Sequence, residues 1–259
     1  MDNLIKELLC LEGKRAVITG GSAGIGASTA QLLARMGADV VILDISRDQG
    51  EATAAQIRKQ GLKARFMACD VTCESDCIKI AQTLSSTGPH LDILFNNAGV
   101  IVRKSVTDLS EPEWNAVIDV SLKGAYLLSK HLIPLMKEKG GAIVNTGSGW
   151  SLKGGDNAAA YCAAKAGVLN LTRAMAIDYG KYNIRVNCVC PGDTDTELLR
   201  SEARQLGADE TAFLKEASAR PLGRMGTPDD IAKSVLFLVS GMSAWISGTS
   251  LLVDGGGMA

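Results

Sequence analysis

The stretch TGGSAGIG, residues 19–26, lies between a short apolar run, AVITG, and a helix-like stretch at residues 27–36. Its glycines allow a tight turn and let the backbone approach a pyrophosphate, while the following helix offers free N–H groups and its positive dipole end. These glycines are Gly20, Gly24 and Gly26. The spacing is GxxxGxG and not GxGxxG, so the pattern gains weight only from the strand before it and the helix after it. It predicts a strand–turn–helix unit that binds phosphates.

Six further apolar runs follow along the chain, and all but the last lead into a helix-like stretch, for example residues 48–60. They are DVVILD from Asp39, ARFMACD from Ala64, LDILFNNAG from Leu91, GAIVNTGS from Gly141, NIRVNCVCPG from Asn183 and TSLLVDGG from Thr249. Strands that alternate with helices favour right-handed βαβ crossovers, and continuous Val, Ile and Leu favour burial on both faces. We expect an α/β fold: one Rossmann-like domain over residues 1–259, with a doubly wound parallel sheet of about seven strands, helices on both faces and a substrate lid near residues 193–225.

The composition excludes several classes of partner. Of the 259 residues, 27 are basic and 28 are acidic, the net charge is −1 and only 4% are aromatic. No long block of one charge is present, so neither nucleic acid nor an anionic membrane is an expected partner. No apolar run approaches the ~20 residues of a membrane span, and the first residues are too acidic for a secretory signal. We expect a soluble cytoplasmic protein that acts on a small molecule.

Seven cysteines, an odd number, fit a reducing compartment. Cys69, Cys73 and Cys77 recur at every fourth residue, and Cys188 and Cys190 alternate along an apolar run. A metal or cluster site is one interpretation, but there are no CxxC pairs and the two histidines are distant in sequence. We favour buried hydrophobic cysteines and expect no metal site.

Asp44 ends the second apolar run, eighteen residues after Gly26. An acidic residue at this place in a Rossmann-type unit accepts hydrogen bonds from the adenosine ribose hydroxyls and repels a 2′-phosphate. A site for NADP needs compensating cations, yet the glycine-rich loop has Ser22 and Ala23, and Arg47 is the nearest following base. The position favours NAD over NADP, although a role for Asp44 in capping a helix stays open.

The run AAAYCAAKAG, residues 158–167, places Tyr161 and Lys165 four residues apart in a segment of strong helix formers. Residues i and i+4 share one helix face, so the phenol and the ammonium are expected to lie side by side. Taken alone, the pair is more typical of an ordinary half-exposed helix face, and the rest of the chain reverses that interpretation.

The sequence resembles the short-chain dehydrogenase/reductase family over nearly its whole length. The motifs that carry the resemblance, in order and at family spacing, are TGxxxGIG at residues 19–26, Asp70–Val71, NNAG at residues 96–99, Ser148 thirteen residues before the tyrosine, YxxxK at Tyr161 and Lys165, and PGDTDT at residues 191–196.

The resemblance implies NAD-linked oxidation of a secondary alcohol, with Tyr161 as the acid/base and Ser148 bonding the substrate oxygen. Lys165 is expected to lower the pKa of Tyr161 through its charge and to hold the nicotinamide ribose. Asp70 is expected at the adenine, and Thr194 and Thr196 near the carboxamide. The implied cofactor contacts are Gly20, Ser22, Gly24, Ile25, Gly26, Asp44, Asp70, Val71, Asn97, Ala98, Gly99, Tyr161, Lys165, Pro191, Gly192, Thr194 and Thr196.

Ser121, in IDVSLKG, departs from the family pattern. The family has an asparagine twenty-seven residues before its serine, and this asparagine props the helix open so that a backbone carbonyl holds a relay water beside the lysine. Serine can bond its own backbone in a similar way but is shorter. We expect Ser121 to belong to an active but modified proton relay.

The substrate is expected between residues 149–157 and the stretch after Pro191, against Ser148, Trp150 and Tyr161. The segment SLKGGDN is too polar for a steroid pocket and favours a small polyol, sugar or cyclic alcohol. Lys153, Asp156, Arg200 and Arg204 are candidates for reading a polar or anionic group, although solvated surface charges are the commoner case.

Two other functions stay open: a 3-oxoacyl-thioester reductase acting on acyl carrier protein or CoA, and a non-catalytic nucleotide-binding member of the fold. The resemblance also implies a homotetramer or homodimer built through helices at residues 111–139 and 158–180 and the last strand.

Overall fold

Seven parallel strands form one sheet in the computed structural model, which describes residues 8–88 and 90–259. They are β1 (Arg15–Thr19), β2 (Asp39–Asp44), β3 (Ala64–Ala68), β4 (Ile93–Asn96), β5 (Gly141–Thr146), β6 (Ile184–Pro191) and β7 (Ser250–Val253). Their order across the sheet is β3-β2-β1-β4-β5-β6-β7. Each of the seven apolar runs therefore contains a strand, as predicted.

Helices cover both faces of this sheet. In chain order they are α1 (Gly24–Arg35), α2 (Arg47–Arg58), α3 (Glu74–Thr87), α4 (Glu111–Ile118), α5 (Gly124–Leu132), α6 (Ala159–Tyr179), α7 (Glu197–Gln205), α8 (Glu210–Ala217) and α9 (Pro228–Val239). Within the described ranges, none of these helices is both long enough and apolar enough to cross a membrane. α7 and α8 lie in the segment predicted to form the substrate lid.

Alternating side chains of the strands feed two separate cores. Ile18 packs with α1, α2 and α9 on one face, whereas its neighbour Val17 packs with α3 and α5 on the other, and both are fully buried. The same division holds for Ile42 and Val41 of β2. Burial on both faces explains why these strands consist of uninterrupted Val, Ile and Leu. The prediction of a doubly wound parallel sheet is confirmed.

The strand order reverses between β1 and β4. β1 pairs with β2 on one side and with β4 on the other, with Ile18 beside Phe95. Since successive connections leave in opposite directions at this point, a crevice opens beyond the carboxyl ends of the two strands. The glycine-rich loop after β1 and the NNAG segment after β4 both end there.

The helix predicted over residues 111–139 is shorter and less regular than expected. α4 ends at Ile118, a π-helical turn spans Asp119–Lys123, and α5 ends at Leu132 before a short 3₁₀ turn, Ile133–Leu135. Pro134 in that turn has no N–H to continue an α-helix, which explains the early end. The π-helical turn is a local widening of a kind that often occurs at functional sites, and it contains Ser121.

Candidate active site

A cavity of about 350 Å³ opens at the carboxyl ends of β1, β4, β5 and β6. Most residues of the predicted site form its wall. The predicted residues that line it are Gly20, Gly24, Ile25, Asn97, Ala98, Gly99, Ser148, Trp150, Tyr161, Lys165, Pro191, Gly192, Thr194 and Thr196. The sheet therefore brings together residues that lie up to 176 positions apart in the sequence.

The glycine-rich loop fits a phosphate group. Gly20 and Gly24 have φ values of +61° and +51°, which favour glycine. A Cβ on Gly26 would lie 2.1 Å from the carbonyl oxygen of Gly20, so the first turn of α1 can pack on the loop only with glycine at residue 26. α1 has no side-chain cap at Ala23 and no acidic residue in its first turn, so its N–H groups face the cavity without a side-chain acceptor.

Asp44 is held against this loop. Its Oδ2 accepts hydrogen bonds from the Ser22 N–H at 3.2 Å and the Ser22 hydroxyl at 2.5 Å, and its Oδ1 accepts one from the Ser46 N–H at 3.0 Å. The Asp44 carboxylate therefore fixes the conformation of the glycine-rich loop and lies half-buried next to it. Asp44 is not the N-cap of α2, which is Ser46; its bond to the Ser46 N–H closes a turn just before that helix.

The NNAG segment is tied to the end of β1. The Thr19 hydroxyl accepts hydrogen bonds from the N–H groups of Asn97 and Ala98 at 2.9 and 3.0 Å. Asn97 Nδ2 in turn donates to the carbonyl oxygens of Thr19 and Gly20, both at 3.2 Å. These bonds join the two strand ends at the switch point and fix one wall of the cavity.

α6 presents Tyr161 and Lys165 to the cavity, as their spacing predicts. The Lys165 ammonium donates to the carbonyl oxygen of Thr146 at 2.7 Å and lies 5.5 Å from the centre of the Tyr161 ring. Lys165 is only 3% exposed, and this burial lowers its pKa to about 8. An ammonium with one carbonyl partner in so dry a place is costly to stability, which points to a functional role.

The surroundings of Tyr161 raise its pKa in the protein chain by itself, so the lowering expected from Lys165 stays a prediction. Burial raises the pKa of the Tyr161 phenol, and the negative charge of Glu202 raises it further. A hydrogen bond with Ser148 acts in the opposite direction and lowers it. Burial of the phenolate is the largest of these influences on the pKa of Tyr161.

Ser148 is positioned by a 3₁₀ turn, Gly149–Ser151, that follows β5. Its hydroxyl accepts from the Trp150 N–H at 3.1 Å, and its own N–H donates to the Ser151 hydroxyl at 3.0 Å. Ser151 also donates to the carbonyl oxygen of Lys165 at 2.9 Å. The serine is thus fixed to the helix that carries the tyrosine and the lysine.

Ser121 lies behind the cavity wall rather than in it. It is 3% exposed, and its hydroxyl has no hydrogen-bond partner. A Cβ on Gly99 would lie 3.3 Å from Lys165 Nζ and 3.4 Å from Ser121 Oγ, so both polar atoms lie beside Gly99. A buried hydroxyl without a partner next to a buried ammonium is unusual and fits a residue of a proton relay.

Six predicted residues do not form the cavity wall: Ser22, Gly26, Asp44, Asp70, Val71 and Ser121. Asp70 is exposed, and its Oδ1 accepts from the N–H and hydroxyl of Thr72 at 2.9 and 2.7 Å, which closes a turn. Val71 is buried against Gly124 of α5. The roles of these two residues toward an adenine stay predictions.

The structure adds wall residues that the sequence analysis missed. Glu202 of α7 and Met258 line the cavity, and Met258 lies so close to Gly149 that a Cβ there would meet its sulfur at 2.9 Å. One signal for Glu202 is available in the sequence, because it falls three residues after Leu199 on the buried face of an amphipathic helix. Arg200 and Arg204, by contrast, do not line the cavity; Arg200 pairs with Asp195, and Arg204 pairs with Glu197, which does line it.

Four of the seven cysteines are buried as small hydrophobic residues, whereas Cys10 is exposed and Cys73 and Cys162 are half-buried, so the prediction is wrong for Cys73. Cys69 and Cys77 are buried between sheet and helices, and Cys188 and Cys190 lie on one face of β6 with their sulfurs 3.7 Å apart. Across residues 8–88 and 90–259, no group of three or more His, Cys, Asp or Glu side chains is arranged to hold a metal.

Comparison with known proteins extends the similarity over nearly the whole chain. A family model described as enoyl-(acyl carrier protein) reductase matches residues 20–257. The chain is 38% identical to the 3-oxoacyl-(acyl-carrier-protein) reductase FabG of Chlamydia muridarum, over 95% of this chain and 98% of that protein. It is also 38% identical to the cyclopentanol dehydrogenase of Comamonas sp. (strain NCIMB 9872), over 94% and 96%. A solved structure of a short-chain type dehydrogenase/reductase from Mycobacterium marinum matches with a TM-score of 0.90 and 32% identity, over 98% of both chains.

Proposed function

The chain belongs to the short-chain dehydrogenase/reductase family of oxidoreductases, and we propose that it converts a secondary alcohol into a ketone with NAD as the hydride acceptor. The observation that carries the proposal is the buried Lys165 ammonium, 5.5 Å from the Tyr161 ring in the cavity into which the uncapped first turn of α1 opens. A cation, a phenol and a phosphate-binding helix end in one cavity are the parts that this reaction needs.

Bound NAD would supply the hydride acceptor and, in its oxidised form, a second positive charge. The chain's residues do the rest. Ser148 hydrogen-bonds the alcohol oxygen and holds it at the phenol, Tyr161 takes the hydroxyl proton, and Lys165 stabilises the phenolate. Burial raises the pKa of Tyr161, which opposes loss of its proton. The positive charge of Lys165 acts against this effect strongly, because water screens little in a buried site.

Asp44 supports NAD over NADP. Its half-buried carboxylate is fixed beside the loop by Ser22, so it cannot easily turn away from a 2′-phosphate. At a separation of ~4 Å, two negative charges repel by roughly 4 kcal/mol near a protein surface. Ser121 is proposed as a member of the proton relay beside Lys165, in place of the family's asparagine.

The proposed substrate is a small polyol, sugar or cyclic alcohol. Similarity to a cyclopentanol dehydrogenase supports this class, and so does a cavity of about 350 Å³ whose far wall combines Trp150 and Leu199 with the polar Glu202. A homotetramer or homodimer in the cytoplasm is proposed as well. Trp245 and Ile177, which are almost fully exposed apolar side chains, support association between copies.

A 3-oxoacyl-thioester reductase is the second candidate, favoured by the similarity to FabG. Asp44 weighs against the NADPH that such reductases usually prefer. A purely nucleotide-binding role is a poorer fit because Ser148, Tyr161 and Lys165 all line one cavity.

A cofactor and substrate screen tests the proposal. Wild-type protein, Ser148→Ala and the exposed control Ser86→Ala are assayed with secondary alcohols plus NAD or NADP, and with a 3-oxoacyl thioester plus NADH or NADPH. We expect NADH production from an alcohol, unchanged in Ser86→Ala and about 10²- to 10³-fold slower in Ser148→Ala. Thioester reduction with NADPH and no alcohol oxidation would replace this proposal with the second candidate, and no turnover of any kind would refute both.

A further inference from the structure

Two charged side chains meet beside the catalytic tyrosine and have no part in the mechanism above. Arg103 Nη1 lies 2.5 Å from Glu202 Oε2, and the two side chains are only 8% and 11% exposed. The guanidinium carbon lies 5.0 Å from the Trp150 ring centre, and Trp150 in turn meets the Tyr161 ring edge-to-face at 5.9 Å. The ion pair is therefore built into the wall that faces the reacting end of the substrate.

Every nitrogen of the Arg103 guanidinium is engaged by the chain. Nη1 donates to Glu202, Nε to the carbonyl oxygen of Asn157 at 3.3 Å, and Nη2 to the carbonyl oxygen of Asp156 at 3.0 Å. Its main-chain N–H donates to Gln205 of α7 at 2.9 Å. Arg103 is thus fixed behind the wall and presents no positive charge to the cavity.

One carboxylate oxygen of Glu202 accepts no hydrogen bond from the described residues. Only its Oε2 meets Arg103, and within the described part of the chain no donor reaches Oε1, which is not fully buried and belongs to a residue of the cavity wall. A carboxylate oxygen accepts hydrogen bonds strongly, and the bond is worth most in a partly dry site. A substrate that brings a donor to Oε1 is therefore favoured over one that leaves it without a partner.

The charge balance narrows the class of donor. Arg103 neutralises Glu202, so the pair has no net charge to attract a cationic substrate. An anionic group in the same place would face the exposed carboxylate oxygen, with no free cation from Arg103 to receive it. A neutral hydroxyl is the donor that meets neither penalty.

We propose that Glu202 is a specificity-determining residue: its free oxygen accepts a hydrogen bond from a second hydroxyl group of a neutral substrate. This inference rests on the proposed function, since it concerns the substrate of the same site. It narrows that substrate to diols and polyols and disfavours a carboxylate at the place of this second hydroxyl. The discrimination expected from one charge-assisted hydrogen bond is about 10- to 100-fold in kcat/KM.

The test compares NAD-dependent oxidation of cyclohexanol, the cyclohexane-1,2-, -1,3- and -1,4-diols and 4-hydroxycyclohexanecarboxylate. The variants are Glu202→Gln and the double variant Arg103→Met/Glu202→Leu, which removes both charges and keeps an apolar wall in case a lone Arg103 prevents folding. Glu216→Gln, on the exposed side of α8, is the matched control.

We expect the wild type to prefer at least one diol over cyclohexanol by tenfold or more and to use the carboxylate poorly. The double variant should lose this preference and use the diols and cyclohexanol with similar kcat/KM, whereas Glu216→Gln should keep the wild-type ratio. A wild-type preference for the carboxylate, equal use of diols and cyclohexanol, or a diol preference that survives the loss of Glu202 would overturn the inference. If the wild type oxidises neither these alcohols nor any secondary alcohol of the wider screen with NAD, the proposed function itself has failed.

Discussion

Replacing Lys165 with methionine should make the stability of the protein less dependent on pH. In the folded chain the pKa of Lys165 is about 8, below its ordinary value of 10.5, because the ammonium is buried. Between these two pH values the unfolded chain binds more protons than the folded chain. The free energy of unfolding contributed by this lysine therefore rises with pH, and its destabilising effect is complete only below about pH 8.

The size of the effect follows from the shift. The difference between 10.5 and about 8 corresponds to roughly 3 kcal/mol of destabilisation at neutral pH. Integration between pH ~7 and pH ~9.5 gives a gain of about 2 kcal/mol for the wild type relative to a variant without the lysine. Lys165→Met also removes the hydrogen bond from Lys165 to the Thr146 carbonyl oxygen. Because methionine does not titrate, this loss adds no pH dependence to the stability of the variant.

The assay is urea unfolding of wild type, Lys165→Met and Lys181→Met at several pH values and one fixed protein concentration, since association would alter apparent stability. Lys181 is exposed and controls for the loss of a surface lysine. We expect the free energy of unfolding of the wild type to increase, relative to that of Lys165→Met, as the pH rises. If the free energies of unfolding of these two proteins change in parallel with pH, the claim that a buried ammonium with a lowered pKa lies beside Tyr161 is refuted.

Asp44→Asn should improve the binding of NADP relative to NAD at least tenfold, because it removes the charge that repels a 2′-phosphate. Ser22→Ala removes the hydroxyl bond to Asp44 but keeps the charge, so it should weaken the binding of both cofactors alike. Equal effects of the two variants in cofactor titrations would mean that Asp44 only shapes the loop. Gly26→Ala should lower the midpoint of thermal unfolding severely or prevent folding, because the added carbon meets the Gly20 carbonyl oxygen at 2.1 Å. A Cβ on Gly180 would meet no atom within 4 Å, so Gly180→Ala should be neutral or slightly stabilising in the same thermal melt. Ser121→Asn should shift the pH profile of kcat through the restored side chain beside Lys165, and an unchanged profile and turnover would show that this substitution is unimportant.

The parts of the fold that local sequence determines were predictable. Each strand appears where an apolar run occurs, and β1, β2, β4, β5 and β6 are buried on both faces, which permits no alternation. The glycine-rich turn is at the carboxyl end of β1. The spacing of Tyr161 and Lys165 was enough to place both on one face of α6. These features depend on neighbours a few residues away, which a single sequence contains.

What escaped prediction depends on partners far apart in the chain. The meeting of Arg103 with Glu202, 99 residues later, is set by how α7 packs over the cavity. The raised pKa of Tyr161 is a second case, because it comes from burial and from the distant charge of Glu202, whereas the spacing reveals only the nearby cation. The π-helical turn around Ser121 likewise lacks a local sequence signature.

The most direct test of the central claim is the rate of NADH formation by Tyr161→Phe with a secondary alcohol that the wild type oxidises. Tyr126→Phe, which alters an exposed tyrosine, is the control, and binding of NAD to each protein is titrated in parallel. The proposed role of the Tyr161 hydroxyl predicts a loss of about 10²- to 10⁴-fold in kcat for Tyr161→Phe with NAD binding retained. Wild-type turnover in Tyr161→Phe would contradict it.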